Sequence, residues 1–290
     1  MQSKSLSWSI LIVLSVVWGS SFILMKRGLD AFSSDEVAAL RISIAFLFLL
    51  PFQIKHYKID IKKYFLGLAI MGAFGNLIPA FLFTKAETHI SSSLAGMLNA
   101  LTPIFTILVA LFWLKTKTSS KQISGIIVGF IAAVCLIFFE KGDNKFQNII
   151  FGLLVVIATI FYAISLNGIK KYLSDLSSIK ATVWSFSIIG PIALVYLFGF
   201  TQFTNHLSHH PQALSSLGYI CILAIIGSAL SVIIFNVLIK MAGTVFASSC
   251  TYLIPIVAVA WGVFMGETIN LMQILSVLAI ILSVYLINRN

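Results

Sequence analysis

Charge is what this chain has least of. Lys, Arg, Asp and Glu make up 10% of its 290 residues, against about 25% in an average soluble domain. Cysteine is scarcer still: Cys135, Cys221 and Cys250 each lie inside an apolar run, with no spacing suited to a disulfide framework or a metal. No HExxH, no GxSxG and no clustered acids occur within the apolar runs, so the chain lacks the equipment of an intramembrane enzyme and implies no cofactor. Polar links between the runs reach only about a dozen residues, which leaves no room for a soluble signalling or docking domain.

What remains is apolar. With 59% hydrophobic residues and a mean hydropathy of +1.04, a water-soluble fold could not hide its own surface. The chain reads as an all-α integral membrane protein. Ten apolar runs can be marked, at about 8–25, 36–53, 64–84, 91–114, 122–139, 149–168, 179–199, 217–239, 243–265 and 269–287. Each approaches the roughly 20 residues that a helix needs to cross the hydrocarbon layer. The alternation of a β-barrel is absent. The first run ends in Met-Lys-Arg rather than in a small-residue cleavage site, so it is expected to be retained as a helix.

The formal charge of +10 invites a nucleic-acid reading, but its distribution argues against one. With the N-terminus in the cytoplasm, inner segments hold thirteen Lys and Arg and outer links five, with Arg41 inside a run. Such a bias orients membrane helices. Both termini are therefore expected on the cytoplasmic side of an inner membrane.

The sequence also repeats itself. At a constant offset of 152 residues, Gly75 falls on Gly227, Ala95 on Ala247, Pro103 on Pro255 and Phe112 on Phe264, without a gap. Such duplications are a transporter feature. Five helices per copy would place the second upside down. The expected architecture is ten transmembrane helices as two inverted five-helix repeats, 8–139 and 150–287, divided at "EKGDNKFQN".

A helical proline leaves the carbonyl four residues earlier without its partner, and lipid cannot supply one. For Pro103 that residue is Asn99; for Pro255 it is Thr251. Both extend polar faces at helical spacing: Ser92, Gly96, Asn99, Pro103 and Thr106, then Thr244, Ser248, Thr251, Pro255 and Ala258. Small polar faces also serve plain helix packing. The expectation is a central cavity to which each half contributes one broken helix. Trp18, Ser21, Asn76, Tyr162, Ser228 and Tyr252 are further candidates for its wall. Arg41 is the one charge well inside a run, hence a functional candidate, although five residues beyond Glu36 it is also placed to snorkel outward or pair locally. All nine acids, Glu267 among them, fall at helix ends or in links, so no deep proton relay is visible and movement by gradient or exchange is expected. Glu267 is expected at the start of the last helix, against its dipole. "GIIVG", with Gly125 and Gly129, suits close packing within the bundle or in a homodimer.

"VWGSSF" at 17–22, "LTPIF" at 101–105, "LIPIV" at 253–257 and "MGE" at 265–267 resemble the EamA family of the drug/metabolite transporter superfamily. The resemblance covers nearly the whole chain as two repeats. It implies an alternating-access carrier that exports small metabolites such as amino acids or amphipathic compounds, with a sugar-nucleotide type of importer or exchanger as the alternative. The chain departs from the pattern where an acid is expected after the fourth run, and Lys115 stands there instead. The partners implied are the lipid bilayer and a small-molecule substrate, with no nucleic acid.

Overall fold

The computed structural model describes residues 2–55, 58–115, 119–140, 145–248 and 250–288, and every regular element among them is helical. Helices α1 (Gln2–Gly28) and α2 (Ser34–Lys55) come first; α3 (Ile61–Gly72) then continues through a π-helical turn (Ala73–Leu77) into α4 (Ile78–Glu87). Next come α5 (Ser92–Asn99), α6 (Thr102–Trp113) and α7 (Ser120–Phe138). The second half holds α8 (Lys145–Tyr172), α9 (Ser178–Phe200), the short α10 (Phe203–His209) and α11 (Ala213–Ile222), which passes through a π-helical stretch (Leu223–Leu230) into α12 (Ser231–Ser248). The chain ends with α13 (Cys250–Phe264) and α14 (Leu271–Asn288).

Among the described residues seven helical spans, α5 and α6 together counting as one, are long and apolar enough to cross a bilayer, and three shorter apolar helices lie at 122–138, 250–264 and 271–283. Their outward faces are aliphatic and aromatic: Ile12, Val16, Phe112, Val134 and Phe198 are all exposed. Serine caps hold several starts. The Ser91, Ser119 and Ser177 side chains accept from backbone N–H groups of α5, α7 and α9. At α2, Ser33 and Glu36 cap one another reciprocally.

Helices pair across the two halves. α2 packs along α9, α7 along α14, and α5 along α13; α1 lies against α11, α12 and α13, and α8 against α3, α4 and α6. Small residues set the closest approaches. A Cβ at Gly96 would collide with that of Ala258, and one at Gly129 would collide with Ile104 and stand 2.8 Å from Ser283 Oγ. Gly129 of the "GIIVG" motif is thus consumed inside the bundle.

The prolines behave differently from expectation. Pro103 lies not inside a continuous helix but in the first turn of α6, where a missing N–H costs nothing. The chain breaks just before it, and Ala100 and Leu101 turn tightly, with their N–H groups bonded to Met97 O and Leu98 O. The Asn99 carbonyl is met by Thr102 Oγ1 at 2.8 Å. Pro255, by contrast, lies within α13, which is unbroken from Cys250 to Phe264. The predicted pair of broken helices is therefore one break and one proline-bearing helix. What does recur is the π-helical turn: the stretch 73–77, shifted by 152, falls inside 223–230.

Candidate functional site

The two π-helical stretches face a common interior. A π turn carries an extra residue and releases backbone carbonyls from the α pattern. In lipid each must find another donor. Asn76 Nδ2 donates to Met71 O at 3.1 Å; Ser228 Oγ donates to Leu223 O at 3.3 Å and Ser231 Oγ to Ile226 O at 2.5 Å. The Trp18 indole N–H, coming from α1, bonds Gly227 O at 3.1 Å.

Between these turns and the α5–α6 break lies a cavity of about 150 Å³. Its polar wall includes Asn76, Asn99, Thr102, Tyr162, Asn236 and Thr251, and its apolar wall includes Trp18, Phe22, Phe83 and Phe235. Of the residues singled out from the sequence, Trp18, Ser21, Asn76, Asn99, Tyr162, Thr251 and Arg41 line it. Pro103, Ser228, Tyr252, Pro255 and Glu267 do not. Ser228 stands one bond behind the wall, through Arg41. The other ends of the two polar faces pack directly on each other, Gly96 against Ala258. The side chains of Thr244 and Ser248 lie outside the described residues.

Arg41 neither snorkels nor pairs with Glu36. Its Nε donates to Ser228 Oγ at 2.8 Å, and Nη1 approaches Met25 Sδ at 3.7 Å. Glu36 is held elsewhere, by His206 Nδ1 at 2.8 Å and the Ser33 N–H at 2.8 Å.

Carboxylates gather at the N-terminus of α5. Glu267 is not at the start of α14, which Asn270 and Gln273 cap reciprocally. Its Oε1 accepts from the Ser92 N–H and Oγ at 2.8 and 2.7 Å, and its Oε2 from the Ser93 N–H and Oγ at 3.0 and 2.5 Å. Burial opposes ionisation there, but the bonds from Ser93 and Ser92 outweigh it and hold the carboxyl below its ordinary range. Glu140 accepts from the Ser91 N–H at 3.1 Å and Gln273 Nε2 at 2.5 Å; burial pushes its carboxyl up. Glu87 is fully buried, and neither of its carboxyl oxygens has a hydrogen-bond partner among the described residues. Lys26 Nζ caps the end of α4 instead, bonding Glu87 O at 2.6 Å and Ile90 O at 3.3 Å. That burial was not foreseen: position at a helix end says nothing about what folds over it.

Residues 6–138 and 150–289 each match the model of the EamA-like transporter family. The chain belongs to that family. Among curated relatives, an uncharacterized transporter of Archaeoglobus fulgidus is 25% identical, over 97% of this chain and 98% of that one. The uncharacterized inner membrane transporter YedA of Escherichia coli K12 is 24% identical, over 96% and 89%. A probable amino-acid metabolite efflux pump of Salmonella typhimurium is 26% identical, over 93% and 91%. A solved crystal structure superposes with a TM-score of 0.65 at 13% identity, over 97% of this chain and 96% of that one, a likeness of fold. This EamA-family chain is accordingly a multi-pass membrane protein of a transporter family.

Proposed function

We propose that this EamA-family chain is a secondary transporter that exports small metabolites, amino acids or amphipathic compounds, across the inner membrane by alternating access around the central cavity. The observation that carries the reading is that cavity, enclosed in an apolar bundle and lined with polar groups from both halves. An inverted five-helix repeat fits the packing. Exchanging the spans of the two halves turns α1 on α11–α12 into α8 on α3–α4, and it returns the pairs α2–α9, α5–α13 and α7–α14 to themselves. Both termini then lie in the cytoplasm.

A sugar-nucleotide carrier fits less well. The cavity of about 150 Å³ is below the roughly 300–1,000 Å³ typical of sites for drug-sized ligands, and among the described residues Arg41 is the sole Lys or Arg in its wall. The test is purified protein in liposomes loaded with a mixed panel of amino acids and small amphipathic acids, with efflux followed by mass spectrometry. The reading expects one or a few compounds to leave faster than from empty-protein controls. Equal leakage of every compound, with and without protein, would contradict it.

A further inference from the structure

We propose that Arg41 is the anion subsite of this cavity and that the group it takes is the carboxylate of a small monoacid, an inference that rests on the transport reading. A guanidinium stays protonated inside proteins. Half-buried in an apolar bundle, it is best served by an anion or a full set of acceptors. Arg41 has neither: one neutral hydroxyl, Ser228 Oγ, holds Nε, a thioether approaches Nη1, and Nη2 has no acceptor among the described residues. No carboxylate lies within salt-bridge distance of it among the described residues, and Glu87 acts on it only from beyond that distance. Glu267 is already saturated by Ser92 and Ser93.

Arg41 is among the residues that line the cavity. Two more donors on that wall lack protein partners among the described residues: the Tyr162 hydroxyl, and Asn99 Nδ2, whose Oδ1 end faces Thr102 at 3.4 Å. One fixed cation with neutral donors around it matches one negative charge. A phosphate dianion would leave a net negative charge in the cavity, with no second Lys or Arg in its wall among the described residues. The aromatic side of the cavity, Trp18, Phe22, Phe83 and Phe235, accommodates the acid's apolar part.

The experiment pairs each acid with its amide: L-leucine with L-leucinamide, L-phenylalanine with L-phenylalaninamide, and benzoate with benzamide, with glycerol 3-phosphate as the phosphate arm. Efflux from proteoliposomes and thermal stabilisation of the detergent-purified protein are both read. Charged hydrogen bonds of this kind correspond to about ten- to a hundredfold in favour of at least one acid over its amide. Arg41→Gln should bring that ratio to about unity, Arg41→Lys should keep part of it, and Ser228→Ala, which loosens the guanidinium and also frees the Leu223 carbonyl, should lower it several-fold while the protein stays monodisperse. Arg41-dependent stabilisation by an acid without flux would sustain the subsite and overturn the transport reading. Flux with equal treatment of acid and amide would sustain transport and overturn the subsite, as would an acid preference that survives in Arg41→Gln, or a response to glycerol 3-phosphate alone. No stabilisation and no flux for any compound would overturn both.

Discussion

Asn76 and Ser228, 152 residues apart, occupy the same place in the two halves: each sits in a π-helical stretch and donates its side chain to the carbonyl five residues before it, at 3.1 and 3.3 Å. The widened turn releases carbonyls, and the polar side chain at that point satisfies one of them locally. Both turns adjoin the cavity, Asn76 directly and Ser228 through Arg41.

Removing such a bond leaves a carbonyl inside the bundle without its donor. Asn76→Ala should destabilise the purified protein by about 1–2 kcal/mol, and Trp18→Phe, which frees Gly227 O, by a similar amount. Thermal unfolding in detergent measures both. No change in either variant would mean that the released carbonyls find other donors.

The π turns were not legible in the sequence, because hydropathy treats the runs 64–84 and 217–239 as uniform. Only the coincidence of Gly75 with Gly227, each just before a polar residue, hinted at them. The helices themselves were legible, since lipid imposes long apolar runs with short polar links. So were the wall residues Trp18, Asn76, Asn99, Tyr162 and Thr251, because a polar or indole group inside such a run needs a partner. The Glu267 bonds to Ser92 and Ser93 were not: they join residues 174 and 175 positions apart, and no local pattern encodes that.

Gly96 and Ala258 set the spacing of α5 and α13. Gly96→Ala should cost about 1–3 kcal/mol through overpacking. Ala258→Gly in the same chain should recover most of the loss, whereas alone it should cost little. Unfolding temperatures of the three variants form the check, and equal loss in the single and double variants would place the strain elsewhere.

Glu267 and Glu140 hold one helix end with opposite electrostatics. Glu267→Gln exchanges a carboxylate that accepts four bonds for a neutral amide and should cost about 2–3 kcal/mol at neutral pH. Because the folded-state carboxyl is depressed, its contribution is present above the ordinary value of 4.5 and fades as pH falls below it. Glu140, pushed up by burial, gains nothing from ionising, so Glu140→Gln should shift stability less at pH 7. Unfolding followed from pH 3.5 to 7.5 should show the gap between the wild type and Glu267→Gln narrowing as pH falls below 4.5. Parallel curves would remove the charge from the explanation.

The lysine and arginine bias predicts orientation. Reporter fusions after Ser119 should report the cytoplasm, and fusions after His209 the outside. A reversed pair would overturn the orientation while leaving the bundle intact.

The central claim is one cavity opened in turn to each side of the membrane. Asn99→Cys, in a chain whose Cys135, Cys221 and Cys250 are replaced by alanine, tests it with a membrane-impermeant thiol reagent. Right-side-out and inside-out vesicles are labelled separately. The account predicts modification from both sides, because alternating access exposes Asn99 to each solution in turn. Modification from one side alone, or from neither, under conditions that label a cysteine in an exposed link, would contradict it.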